Sequence, residues 1–208
     1  MRKIPTLFKK NPSNLGLVIP EFDEGLPSLN KLVAHPKWDG QACMVVEGML
    51  YTRYDNKPRY KRGKLKAAKP LPAGSIECQE PDPITGHHPF WVPVMEDNSQ
   101  YKWVWQAFLN SGGQSLGEGT YEAVGPHHQS NPHGYDKDVL VPHALTIGDI
   151  GYSLDVSDKS AEEVYKYFHS LFTSFPYEGL VFYYHGLPVA KLRRSDFGLP
   201  SIKYNKAA

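Results

Sequence analysis

Residues 160–193 read as a helix, a stop and a hairpin in one unbroken run, and few folds accommodate that run. Ser160 is followed three positions later by Glu163, the spacing at which a serine caps a helix start and the glutamate returns a bond to the cap. Val164, Tyr167, Phe168, Leu171, Phe172 and Phe175 then recur at helical intervals, which marks that face as core. Pro176 ends the helix, since proline has no N–H to continue the ladder. Beyond it, Gly179–Tyr184 and Leu187–Arg193 alternate around His185-Gly186, the pattern of a tight antiparallel hairpin.

Other segments extend the same theme. Apolar runs at 42–46 and 49–54 flank Glu47-Gly48 and predict a second hairpin, with Lys37 lying just before its first strand. Residues 75–79, 102–109 and Gly119–Val124 are further candidate strands, each short and bounded by Gly or Pro. The expected fold class is α+β, built from antiparallel sheets flanked by helices rather than from βαβ units. The 208 residues contain no internal repeat and no low-complexity tract, so one domain over 1–208 is the simplest organisation. MRKIPTLFKK lacks the apolar core of a signal peptide, and no run of about 18 apolar residues occurs, so a soluble cytoplasmic protein is expected. Cys43 and Cys78 have no CxxC spacing and read as buried or half-buried thiols rather than as a disulfide or zinc framework.

Three segments carry chemistry. Lys37-Trp38-Asp39-Gly40 holds a lysine in a turn beside a buried strand, with a glycine that allows close backbone approach. By itself such a pattern is common and describes a solvated lysine equally well. Its weight comes from Glu178, which opens the final hairpin, and from Lys191-Leu192-Arg193 on the returning strand. Side chains repeat every two residues along a strand, so Lys191 and Arg193 share a face, and the hairpin brings Glu178 toward them. A carboxylate with paired cations suits a metal-bound triphosphate, although charges that protect an exposed hairpin edge would read the same way.

The order of these segments resembles the covalent nucleotidyltransferase superfamily of ATP-dependent ligases and capping enzymes. Lys37 matches the nucleophile of its KxDG motif and Gly40 the glycine, Arg53 the downstream arginine, Glu122 in GTYEAVG the glutamate strand, Glu178 the EGhV glutamate and Lys191 the final lysine. CQEPDPITGHHPFWVP (78–93), GTYEAVGP (119–126) and KLRRSDFGLP (191–200) resemble more closely the small 5′-3′ RNA ligases that include vertebrate members. The resemblance spans roughly 37–200 and implies a single nucleotidyltransferase domain, ATP-grasp-like, without an appended OB domain. It implies ATP and Mg²⁺ or Mn²⁺ as cofactors, and RNA with 5′-phosphate and 3′-hydroxyl ends as substrate. Lys37 and Lys191 are then catalytic. Lys37, Gly40, Arg53, Glu122, Glu178, Lys191 and Arg193 hold the nucleotide, with Glu122 on the ribose and Glu178 also serving the metal. No membrane or protein partner is implied, and a monomer is expected.

Two departures stand out. Many relatives carry Lys-x-Lys in the last motif, where this chain has Lys191-Leu-Arg193, and the aromatic that stacks on adenine is not evident, His143 being the candidate. Net charge is only +1, yet residues 53–69 hold eight basic residues against one acid, Asp55, with Tyr54 and Tyr60 interleaved. That strip suits a phosphate backbone or a solvated loop. It keeps open a catalytically silent RNA-binding module beside the enzyme readings, which include GTP capping and protein AMP transfer. Paired histidines at 87–88 and 127–128, with His133, are expected to occupy turns rather than bind zinc. Trp91, Trp103 and Trp105 are expected as core or pocket walls, while Trp38 sits beside the proposed nucleophile.

Overall fold

The computed structural model describes residues 4–61, 64–83, 86–143, 152–153 and 158–201. The chain mixes α and β structure and forms two compact units, one made of Gly40–His143 and the other of Ile4–Asp39 with Ala144–Ala208. Among the described residues, every pairing between named strands is antiparallel.

In the unit containing Ile4–Asp39, four strands pair in the spatial order Tyr152–Ser153, Val33–Lys37, Gly179–Tyr184 and Leu187–Arg193. The helix Ala161–Ser174 supplies the core. Its capping box forms as expected: the Glu163 N–H donates to Ser160 Oγ at 3.3 Å, and the Ser160 N–H donates to the Glu163 carboxylate at 2.9 Å. Val164, Phe168 and Phe172 from the helix meet Leu180, Phe182, Ala190 and Leu192 from the strands, and all are buried. Each large side chain buried here contributes about 1.5–3 kcal/mol, so the core outweighs any single polar contact at the sheet's other face. A hairpin of Phe8–Asn11 and Asn14–Phe22 completes the unit. Neither it nor the Val33–Lys37 strand is evident from sequence periodicity.

In the Gly40–His143 unit, six strands follow the spatial order Val139–Pro142, Gly119–Val124, Gln41–Val46, Met49–Asn56, His88–Pro93 and Ile76–Glu77. Glu47 and Gly48 both take positive φ (51° and 70°), as do His185 and Gly186 (48° and 76°) in the other unit. Both expected hairpins therefore close through turns whose twist matches the strands. The expected strand at 102–109 is instead an α-helix, Lys102–Asn110. Its aromatics favour a strand locally, but burial of Val104, Ala107 and Phe108 against the sheet follows the three- and four-residue spacing of a helix face. The strand expected at 75–79 shrinks to Ile76–Glu77. Cys43 is buried and Cys78 half-buried, both as free thiols.

Within the basic strip, Arg59–Lys61 and Lys64–Lys66 pair as a short ribbon, while Arg62 and Gly63 lie outside the described residues. Among the described residues, no helix is long and apolar enough to cross a membrane.

Candidate active site

The Gly179–Tyr184 strand runs between two partners, and the register fixes which side chains share a face. Gly179 stands opposite both Lys37 and Arg193, and Val181 opposite both His35 and Lys191. Directly opposed residues project to the same side, and positions two apart do likewise. His35, Lys37, Lys191 and Arg193 therefore share one face, while Ala34, Pro36, Leu180, Ala190 and Leu192 fill the other and are buried. Gly179, between Lys37 and Arg193, is required for space: a Cβ there would lie 1.9 Å from the Leu192 carbonyl oxygen.

Glu178, one residue before this strand, forms an ion pair with Lys37, and both side chains are 24% exposed. Lys37 Nζ also donates to the Trp38 carbonyl oxygen at 3.2 Å. Burial raises the Glu178 carboxyl above its ordinary pKa; Lys37 opposes that rise and Asp39 adds to it. Trp38 packs edge-on against Tyr177, ring centroids 5.3 Å apart.

The two cations of the last strand have different settings. The pKa of Lys191 is pushed down to about 8, first by burial and then by the charges of Arg193 and Lys37, with the carboxylates of Asp196 and Glu178 opposing the shift. Its backbone is fixed on the strand's outer edge, where its N–H donates to the Pro5 carbonyl and its carbonyl accepts from the Leu7 N–H, both at 2.9 Å. Arg193 is clamped by Asp196, which is fully buried and accepts from Arg193 Nη2 at 2.9 Å, Arg193 Nε at 3.3 Å and the Arg193 N–H at 2.8 Å. Lys10 Nζ donates to the same carboxylate at 2.7 Å. Burial works against ionisation of Asp196, but these bonds outweigh it and hold the carboxyl below its usual pKa. The planar guanidinium makes a forked contact that an ammonium could not, which explains arginine rather than lysine at 193. Asp196 stands three residues after Arg193, a local spacing that could have marked the pair, whereas Lys10 lies 186 positions away and no sequence pattern links it to Asp196.

In the Gly40–His143 unit, Glu122 is 8% exposed and both carboxylate oxygens are engaged. One accepts from the Gly40 N–H at 3.0 Å and the other bonds His143 Nε2 at 2.8 Å. His143 thus meets Glu122 through the ring nitrogen that adenine stacking would leave free. Gly40 has a steric reason to be glycine besides ligand approach, since a Cβ would lie 2.1 Å from the Ala123 carbonyl oxygen. Arg53 and Glu122, with Gly40, Ala42, Asp55 and His87, line a cleft of about 410 Å³. Ala42 lies directly opposite Glu122, and its small side chain leaves that part of the sheet open. Asp55 pairs with His87 Nδ1 at 2.7 Å, and Lys57 Nζ lies 3.0 Å from His87 Nε2.

The remaining motif residues separate by role. His88 pairs with Glu77, whereas His127 bonds Asp138 at 2.7 Å and His128 lies 3.9 Å from it. Trp91 is buried and Trp105 half-buried, but Trp103 is exposed, because the helix that replaces the expected strand turns it outward. Among the described residues, no three His, Cys, Asp or Glu side chains gather as a metal cage. Mg²⁺ does not require one: it is commonly held by one or two carboxylates together with substrate phosphates, and Glu178 with Asp39 beside it offers that donor set. No family model matches the chain, and no curated protein matches it.

Proposed function

We propose that the protein is an ATP-dependent RNA ligase that acts in cytoplasmic RNA repair or processing. The reading is carried by one observation: a nucleophile-capable amine, Lys37, is paired with a half-buried carboxylate, Glu178, on a sheet face that also presents Lys191 and Arg193. A lysine serving only solubility has no need of such company.

In this reading Lys37 leaves Glu178, loses its proton and attacks the α-phosphorus of ATP. The N–P bond forms as the bond to pyrophosphate breaks, giving lysyl-AMP. AMP then passes to the RNA 5′-phosphate, releasing the lysine, and the 3′-hydroxyl of a second end displaces AMP to form the phosphodiester. Lys191 and Arg193 supply positive charge to the phosphate oxygens, and the Asp196 clamp keeps Arg193 from swinging with the substrate. Glu122 and Gly40 serve the ribose side and Arg53 the phosphates; a carboxylate has about four lone-pair sites, so Glu122 retains acceptor capacity beyond its two protein bonds. Mg²⁺ or Mn²⁺, held by Glu178 with Asp39, would neutralise phosphate charge.

The test is intact-protein mass spectrometry after incubation with Mg²⁺ and either ATP or GTP. Wild type should gain one AMP from ATP, and folded Lys37→Ala should gain none. An adduct on Lys37→Ala, or none on folded wild type that starts unadenylated, would overturn the reading.

A further inference from the structure

Trp103 lies in the first turn of the Lys102–Asn110 helix and is 39% exposed. Its indole stacks on the His127 imidazole with centroids 3.4 Å apart and planes 5° from parallel. His127 is fixed from behind. Its N–H donates to Asp138 Oδ1 at 3.1 Å and its ring Nδ1 bonds Asp138 Oδ2 at 2.7 Å, and Asp138 is only 4% exposed. The Asp138 carbonyl in turn accepts from Asn110 at 2.8 Å, which ties the end of the tryptophan's own helix to the carboxylate that holds the histidine.

The loop that follows His127 is also held in a costly shape. Gln129, Ser130 and Asn131 all have positive φ (45°, 62° and 54°), three successive non-glycine residues in the left-handed region. Each such residue costs on the order of 1 kcal/mol, so the loop needs bonds that over-determine it. Asn131 provides them, donating to the Tyr135 carbonyl at 2.9 Å and accepting from the Tyr135 N–H at 3.0 Å. Gln129 reaches the Gly40 carbonyl at 3.4 Å, and Gly40 lines the cleft that also contains Arg53 and Glu122. The loop bearing the stacked ring therefore borders that cleft.

A partly exposed aromatic plane, backed by His127 and a buried carboxylate and covered by a flexible lysine arm, fits a planar π ligand. The Lys102 ammonium rests over the indole, 4.5 Å from its centroid, and its flexible arm lets it move aside to meet an anion when a base takes its place on the ring. A base attached to a phosphate has both properties. We propose that Trp103 and His127 form a stacking platform for a base of single-stranded RNA, with Lys102 meeting its phosphate. This rests on the ligase reading above for the identity of the ligand as RNA.

The experiment titrates a fluorescein-labelled, 5′-phosphorylated single-stranded RNA of about ten nucleotides into wild type, Trp103→Ala and Trp103→Phe, and follows adenylation of the same proteins by intact mass. Loss of one stacked base should weaken RNA binding by roughly tenfold or more in Trp103→Ala, with the rate of lysyl-AMP formation unchanged. Trp103→Phe, which keeps a ring over His127, should lose less affinity, and RNA-induced tryptophan quenching should fall with the indole. Unchanged RNA affinity in folded Trp103→Ala, or undiminished quenching in Trp103→Phe, overturns the platform. Slowed adenylation with RNA binding intact assigns the ring to ATP and overturns it equally. Wild type that takes no AMP yet shows the expected RNA pattern refutes the ligase reading and leaves the platform standing.

Discussion

Glu178 and Glu122 are both carboxylates set at a sheet, one in each unit, and the protein satisfies them in opposite ways. Glu122 is closed in by a backbone N–H and a histidine, both held by the surrounding strands. Glu178 takes a flexible ammonium, from Lys37, whose four-carbon arm can move elsewhere. The first arrangement fixes a geometry; the second stores a charge pair that can open. Under the proposed function the contrast has a use: a group that positions a nucleotide profits from fixity, whereas a nucleophile has to leave its resting partner before it reacts.

The comparison breaks most severely at Gly40. Alanine there would place a Cβ against the Ala123 carbonyl oxygen, forcing the strand away from Glu122. Under the proposed function, Gly40→Ala should slow adenylation by about 100-fold or more, read by a time course of intact mass. Near wild-type rates would show that the bond between Gly40 and Glu122 positions nothing.

Asp196 tests the clamp on Arg193, which shares a sheet face with Lys37. Asp196→Ala leaves the charges of Arg193 and Lys10 without their buried carboxylate, and about 3 kcal/mol of stability should be lost in urea unfolding. A loss below about 0.5 kcal/mol would mean that Arg193 is held by something else.

Lys191 sharpens the comparison through pH. Its pKa is lowered from an ordinary 10.5 to about 8, so the folded protein resists protonation that the unfolded chain accepts. The resulting penalty is present in full below about 8 and fades as pH rises toward 10.5. At about 1.4 kcal/mol per pH unit, Lys191→Met should be more stable than wild type by about 3 kcal/mol near neutrality. The gap should close across that alkaline window, and under the proposed function adenylation is lost throughout. A gap that does not change with pH would remove the burial argument.

The smallest effect belongs to Glu122→Gln, which keeps an acceptor for the Gly40 N–H and alters the contact with His143. Stability should fall by about 1 kcal/mol in thermal or urea unfolding. Under the proposed function, KM for ATP should rise more than the maximal adenylation rate falls; the reverse split would move Glu122 from binding to chemistry.

Much of the local structure was legible because its causes are local. The Ser160 capping box, the Pro176 stop and the two hairpin turns depend on residues a few positions apart, and the alternation that puts Lys191 beside Arg193 is a property of one strand. The 102–109 segment misled because tryptophan and valine favour strands when nothing else decides. The burial of Val104, Ala107 and Phe108 decided otherwise, and sent Trp103 outward to meet His127. The Val33–Lys37 strand was hidden for a related reason: its pairing with Gly179–Tyr184 spans most of the chain, and a lysine at its end disguises it.

The sequence by itself determined where the chain turns, caps and alternates, and it nominated Lys37, Glu178, Lys191 and Arg193 through their order and spacing. Only the tertiary structure decided that Lys37 rests on Glu178, that Lys10 joins Arg193 on the buried Asp196 carboxylate, and that Glu122 binds Gly40 and His143. Backbone propensities and side-chain periodicity act over a few residues, whereas a buried charge takes its partner from whatever strands the core has brought together.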